Sequence, residues 1–216
     1  SAIGNIKFDV TPSPEKLQLG VQWRAALGTR AIWLAASTRE GEEALILDAF
    51  ARIKRPGLLL LLVPRHPQRF AEIAAMVQER GLVLCRRSDS VLPTDQTQVW
   101  LGDSMGEMPA YYSVADIALI GGTLLPFGGQ NLIEAAACGC PVLVGPHTFN
   151  FAQATEDSIA CGAARRISNA EDAATAVEAL QEDRETLRGM RNAAMTFSQA
   201  HRGATARTMA MIRSAT

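Results

Sequence analysis

The residues of this 216-residue chain that could do chemistry are gathered in a few short polar segments, each following a run of branched apolar residues. Ser37-Thr38-Arg39-Glu40-Gly41-Glu42-Glu43 is the first, Pro64-Arg65-His66-Pro67 the second, and Gly102-Asp103-Ser104-Met105-Gly106-Glu107 the third. The fourth runs from Gly121 to Asn131, carries Gly128-Gly129 and leads into Glu134; Gly145-Pro146-His147 opens the fifth. Arg65 comes one residue past five leucines and Val63, at the end of what reads as a central strand. Its permanent charge and forked donors suit a phosphate or carboxylate, although a salt bridge on the sheet rim would use the same chemistry. Three segments place a polar residue three before a glutamate: Ser37 and Glu40, Ser104 and Glu107, Asn131 and Glu134. This spacing fits a capping box at a helix start. It fits equally a cradle of free backbone N–H groups for an anion, and the two glycines before Asn131 would let backbone approach a ligand closely.

Several chemistries are excluded by what is missing. No Gly-Lys-Ser or Gly-Lys-Thr closes a Walker loop, no GxGxxG opens the first helix, and no GxSxG presents a serine nucleophile. Acid/base work by Glu42, Glu43, Glu107 or Glu134 stays open, although no pair has a spacing that singles it out. Cys85, Cys138, Cys140 and Cys161 form no CxxC pair and have no histidine at ligand spacing, so they read as free thiols and no metal site is expected. A net charge of -1 and 6 % aromatic residues argue against a nucleic-acid face. His66 and His147 sit in proline-stiffened turns and read as loop residues. The longest apolar run, Leu58 to Val63, is far short of the roughly 20 residues that cross a bilayer.

These segments require a scaffold that delivers them to one edge. Short branched runs alternate with longer amphipathic ones, the pattern of βα units around a parallel sheet. Strands are expected at 31–36, 58–63, 83–85, 99–101, 117–120, 142–144 and 163–167. Helices are expected between them at 40–53, 68–80, 108–113, 132–138 and 152–161, with two more at 171–182 and 184–214. Ser13 and Pro14 read as a helix start ahead of the first strand. No repeat of 20 to 50 residues is visible. The fold class is α/β, a Rossmann-like doubly wound parallel sheet with a helical C-terminal tail, and ligands in such sheets bind beyond the carboxyl ends of the strands.

Taken in order, GNIKFD, STREGEE, VPRHPQRF, GDSMGEMPAYY and ADIALIGGTLLPFGGQNLIEAAACGCPVLVGPHTFNF resemble the C-terminal half of the Kdo transferase family, from about Gly4 to Phe151. The long stretch from Ala115 to Phe151 is the most specific part. The resemblance implies the C-terminal half of a GT-B glycosyltransferase: residues 1–9 the interdomain connection and 10–216 the nucleotide-sugar domain. It further implies a CMP-Kdo or CMP ligand, and transfer of Kdo to a lipid A precursor held by an N-terminal domain that also supplies the catalytic base and any membrane association. No cofactor and no metal is implied, and the location would be the cytoplasmic side of a bacterial inner membrane. Positions matching the donor-site motifs are Pro64, Arg65, Gly102, Ser104, Met105, Gly106, Glu107, Gly128, Gly129, Asn131 and Glu134. By this likeness Arg65 and the amides near Gly106 and Asn131 hold the phosphate or the Kdo carboxylate, Glu134 takes the ribose hydroxyls, and backbone near Arg65 and Met105 reads the base. Phe127 and Gln130 stand where the family more commonly has a basic residue and a histidine, so neither is carried over. The competing expectations are a GT-B domain for a UDP-sugar, transferase or epimerase, and a stand-alone, non-catalytic nucleotide-binding module.

Overall fold

The computed structural model describes residues 10–53 and 56–201. The expected connection at 1–9 and the tail beyond 201 lie outside the described residues. Seven strands form one wholly parallel sheet: β1 (Ile32–Thr38), β2 (Leu59–Pro64), β3 (Leu84–Arg86), β4 (Val99–Leu101), β5 (Ile117–Ile120), β6 (Val142–Val144) and β7 (Ala164–Arg166). Their spatial order is β3-β4-β2-β1-β5-β6-β7. The chain therefore builds outward from β1 to one edge, then returns across it to build toward the other. That reversal falls between β1 and β5 and opens a crevice at their carboxyl ends.

Among the described residues eight α-helices cover the sheet: α1 (Pro14–Leu27), α2 (Glu42–Phe50), α3 (Phe70–Glu79), α4 (Met108–Val114), α5 (Leu132–Ala137), α6 (Ala152–Ala160), α7 (Ala170–Glu182) and α8 (Arg184–His201). The strands read as continuous apolar runs because both faces are buried. In β1, Ile32, Leu34 and Ala36 join a core with Trp23 of α1, Tyr111 of α4 and Phe197 of α8, whereas Trp33 and Ala35 join a second core with Leu47 of α2, Ile73 of α3 and Val177 of α7. All seven expected strands are present within two residues of their expected ends, and the helix starts at Pro14 and Met108 fall as read. The second helix begins at Glu42 rather than 40, because Gly41 takes a left-handed turn (φ 87°) just ahead of it.

Position 20 shows why two helices can press together near the site. A Cβ on Gly20 would lie 2.6 Å from Cβ of Ser113 and 2.7 Å from the carbonyl oxygen of Ala110, so α1 crosses α4 at nearly backbone contact. That approach sets Trp23 edge-on to Trp100 at 5.0 Å and beside Tyr111 at 5.4 Å, fixing the start of α4 beneath the β4 loop.

Candidate functional site

Every polar segment singled out in the sequence lies at the carboxyl end of a strand, and hydrogen bonds join the segments after β1, β2, β5 and β6. Ser37 breaks the register of β1 against β2 and carries a left-handed backbone (φ 56°). Its carbonyl presses on Gly121, where a Cβ would lie 2.3 Å from that oxygen; no other residue fits position 121 with the turn in this place. Glu42, fully buried, then clamps the two sides of the crevice. Its carboxylate accepts from the backbone N–H of Arg39 (2.9 Å) on the β1 side and from those of Gly122 (2.6 Å) and Leu124 (2.9 Å) on the β5 side. Burial raises the pKa of Glu42, and these amide hydrogen bonds pull against that shift.

Thr123 continues the run toward β6. Its hydroxyl donates to the carbonyl of Ile120 and accepts from Gly145 N (2.9 Å), while its carbonyl accepts from His147 N (3.0 Å). Asn150 closes back onto the glycine pair: its backbone N–H donates to Gly128 O (2.9 Å) and its amide to Phe127 O (3.0 Å). Gly128 and Gly129 both have φ 86°. A Cβ on Gly128 would meet Phe149 at 2.4 Å and Asn150 at 2.6 Å, so here the missing side chain serves the approach of one loop to another.

A second cluster fixes the loop after β4. Asp103 accepts from Ser88 N (2.8 Å), Ser88 Oγ (2.7 Å) and Arg86 Nε (2.8 Å). Burial pushes its carboxyl up, but the Ser88 hydrogen bonds and the Arg86 guanidinium outweigh that and hold it below the ordinary range. Glu107 is paired with Arg87 at 3.0 and 3.1 Å and accepts the Ser104 hydroxyl at 2.5 Å. The Ser104 hydroxyl also lies 2.6 Å from the Tyr111 phenol oxygen, and the Arg87 guanidinium rests 5.2 Å over the Trp23 ring.

At the three sites with capping-box spacing no reciprocal box closes, and only Asn131 caps its helix. Asn131 caps α5 by accepting from Ile133 N (3.0 Å), and its amide donates to Glu134 (3.1 Å). Ser37 and Glu40 do not cap α2, since the left-handed turn at Gly41 moves the helix start past them. Ser104 and Glu107 bond to each other through side chains instead of to helix amides, because Glu107 is drawn to Arg87. Of the four glutamates considered for acid/base work, Glu42, Glu43, Glu107 and Glu134, each has a carboxylate oxygen engaged inside the protein, and one oxygen of Glu43 is buried without a hydrogen-bond partner among the described residues. Glu43 accepts from the Thr38 hydroxyl (2.8 Å) and from Arg69 (2.8 Å).

Two cations beside the crevice, Arg39 and Arg65, have no ion pair among the described residues. Arg65 is exposed at the end of β2, tied only by its backbone N–H to Thr38 O (2.9 Å), and makes no ion pair with a described residue, which removes the rim-salt-bridge alternative. Arg39, half-buried, has its guanidinium 4.6 Å over the Phe127 ring and likewise has no acidic partner among the described residues. Arg39 was not legible as a site residue, because its significance depends on Phe127, 88 positions on in the sequence, meeting it across the crevice. Pro64 is buried at the strand end, Gly102 packs against Val63 and Tyr111, and Met105 and Gly106 are exposed at the loop tip. Among the described residues no group of three or more His, Cys, Asp or Glu is placed to hold a metal, and the four cysteines are free. No helix among them is long and apolar enough to cross a membrane.

A seven-stranded parallel sheet with helices on both faces, and a crevice walled by the loops after β1, β2, β4 and β5, is the architecture of a GT-B C-terminal domain. The chain belongs to the family described as glycosyl transferases group 1, whose model matches residues 38–197. Its similarity is to 3-deoxy-D-manno-octulosonic acid transferases: it is 50 % identical to that of Bordetella pertussis over 95 % of this chain and 49 % of the relative, and 39 % identical to that of Haemophilus influenzae over 97 % and 50 %. The chain spans about half the length of these curated relatives. Among solved structures it is similar to the C-terminal CMP-Kdo binding domain of WaaA from Acinetobacter baumannii, at 30 % identity and a TM-score of 0.82, covering 87 % of this chain and 100 % of that one.

Proposed function

We propose that this chain binds CMP-Kdo in the crevice between β1 and β5 and is the donor half of an inverting transferase that passes Kdo to a lipid A precursor. The observation that carries this reading is the charge balance of the crevice: Glu42, Glu43, Asp103 and Glu107 are neutralised by amides, hydroxyls or arginines, while Arg39 and Arg65 are not. The similarity to a domain named for CMP-Kdo binding supports it. Two unpaired guanidinia over a rigid loop edge suit a ligand with a phosphodiester and a carboxylate, and CMP-Kdo carries one of each. As the glycosidic bond breaks, the departing phosphate gains charge, so fixed cations stabilise the transition state more than the ground state. Asn131 and Glu134 sit at the opposite wall, where one oxygen of Glu134 is free to accept a sugar hydroxyl. Pro64, Gly102, Ser104, Met105, Gly106, Glu107, Gly128 and Gly129 shape the wall with backbone. The base and the acceptor site are assigned to the remaining length of the relatives, together with any attachment to the cytoplasmic face of the inner membrane.

Thermal unfolding with added nucleotides tests the reading. CMP is expected to raise the melting temperature and UMP to do so less at equal concentration. Equal or UMP-favoured stabilisation overturns the CMP assignment in favour of a UDP-sugar.

A further inference from the structure

At the opposite edge of the sheet, by the amino ends of the strands, a cavity of about 510 Å³ lies between the end of α1, the start of β5 and the first two turns of α8. Arg24, Arg184, Arg188 and Arg191 line it, with Asp116 as the one acid there. Asp116 is already engaged: it accepts from Ile32 N (2.9 Å), pairs with Arg191 at 3.1 Å and lies 3.4 Å from Arg24. Arg184 and Arg188 have no acidic partner among the described residues. Arg184, Arg188 and Arg191 follow one another at i, i+4 and i+7, so they form a stripe on one face of α8, and like charges at that spacing repel. Arg184 also stands in the first turn of its helix, where the backbone dipole disfavours a cation. The strain is felt at Arg24, whose pKa is lowered, first by burial and further by Arg191 and Arg184, despite Asp116. A fold that collects four guanidinia about one carboxylate, in a cavity with room to spare, is arranged for an anion that supplies the missing charge.

From this cavity we infer a second anion site, distinct from the β1–β5 crevice, that takes a phosphate monoester. Two free forks one helical turn apart suit a tetrahedral dianion, which can accept from both at once. The monoester could be that of a free metabolite or of a lipid headgroup. The 216-residue chain is titrated calorimetrically with inorganic phosphate and, separately, sedimented with phosphatidylcholine vesicles with and without phosphatidic acid, whose headgroup is a phosphate monoester. Phosphate binding that weakens at least tenfold in the Arg184→Ala, Arg188→Ala double variant, with CMP affinity unchanged within twofold, is the expected result. Binding of phosphate without vesicle association assigns the site to a free metabolite; association that requires phosphatidic acid and is lost in the double variant assigns it to a lipid. Equal phosphate binding by both proteins, or no phosphate binding by the wild type, overturns the inference. Because CMP and phosphate are titrated separately, failure of the donor-site reading shows as loss of CMP binding alone.

Discussion

At the residue scale the crevice depends on which charges stay unmatched. Among the described residues Arg65 is tied by its backbone N–H to Thr38 O and its exposed side chain forms no ion pair. Arg65→Ala should weaken CMP binding by about 1.5 to 3 kcal/mol, roughly 10- to 150-fold, the range of a charge-assisted hydrogen bond. Calorimetric titration reads this directly, and an unchanged affinity in a folded variant would return Arg65 to the solvated surface. Arg39 is held by the Phe127 ring, so two substitutions separate charge from positioning. Arg39→Gln should cost about tenfold in affinity for CMP-Kdo, whereas Phe127→Leu, which keeps the cation but removes its support, should cost only the about 0.5 to 1 kcal/mol of an exposed cation–π contact. If both variants bind as the wild type does, Arg39 has no part in the site.

At the scale of elements, the loops are clamped by neighbours far away in the chain. The loop after β5 needs a glycine at 128 because its backbone is left-handed and the loop after β6 occupies the space a side chain would fill. Gly128→Ala should therefore cost about 2 to 4 kcal/mol, combining backbone strain with overpacking. Gly106 has a similar backbone (φ 74°) but open space around it, so Gly106→Ala should cost only the about 1 kcal/mol of strain. Urea unfolding of the two variants distinguishes them; equal losses would mean that loop-to-loop packing contributes nothing. The Asp103 latch between the turn after β3 and the loop after β4 gives a pH signature. Its folded pKa lies below the unfolded value of 3.8, so the unfolded state takes up the proton more readily. The stability it contributes is complete above that value and is lost as pH falls through the lower folded one. Asp103→Ala should cost about 2 kcal/mol at pH 7, leaving Arg86 and Ser88 without their acceptor, and this difference from the wild type should shrink below pH 4. A difference that stays constant down to pH 2 would show that the carboxylate's charge is not what holds the loop.

At the scale of the whole molecule, a sheet buried on both faces makes the β1–β5 crevice a property of the packed core. Trp33, Leu34, Leu60, Leu61 and Ile117 are all fully buried in the three central strands, and the crevice lies directly beyond them. A ligand binding there stabilises the entire fold by mass action, about 2.7 kcal/mol at a hundred times its dissociation constant. For a domain of this size that corresponds to a rise in melting temperature of about 5 to 10 °C, which is the size of effect expected for CMP. The transferases this chain resembles are about twice its length.

The sequence alone determined the order and type of the elements, because unbroken apolar strands and amphipathic helices are local patterns that burial on two faces enforces. It also determined that polar segments cluster at one edge, since in a parallel sheet every βα turn emerges at the same end, and Arg65 was legible for that reason. Tertiary structure decided which of those residues remain free. Ser104 and Glu107 have the spacing of a capping box, yet Arg87, twenty residues earlier, diverts the glutamate; Glu42 reads as an ordinary first-turn acid, yet binds amides eighty residues away. Arg39 acquires its place only when Phe127 arrives beneath it. Charge matching is pairwise and depends on distance in space, so a linear pattern gives the candidates, and the folded chain selects among them by which charges it pairs.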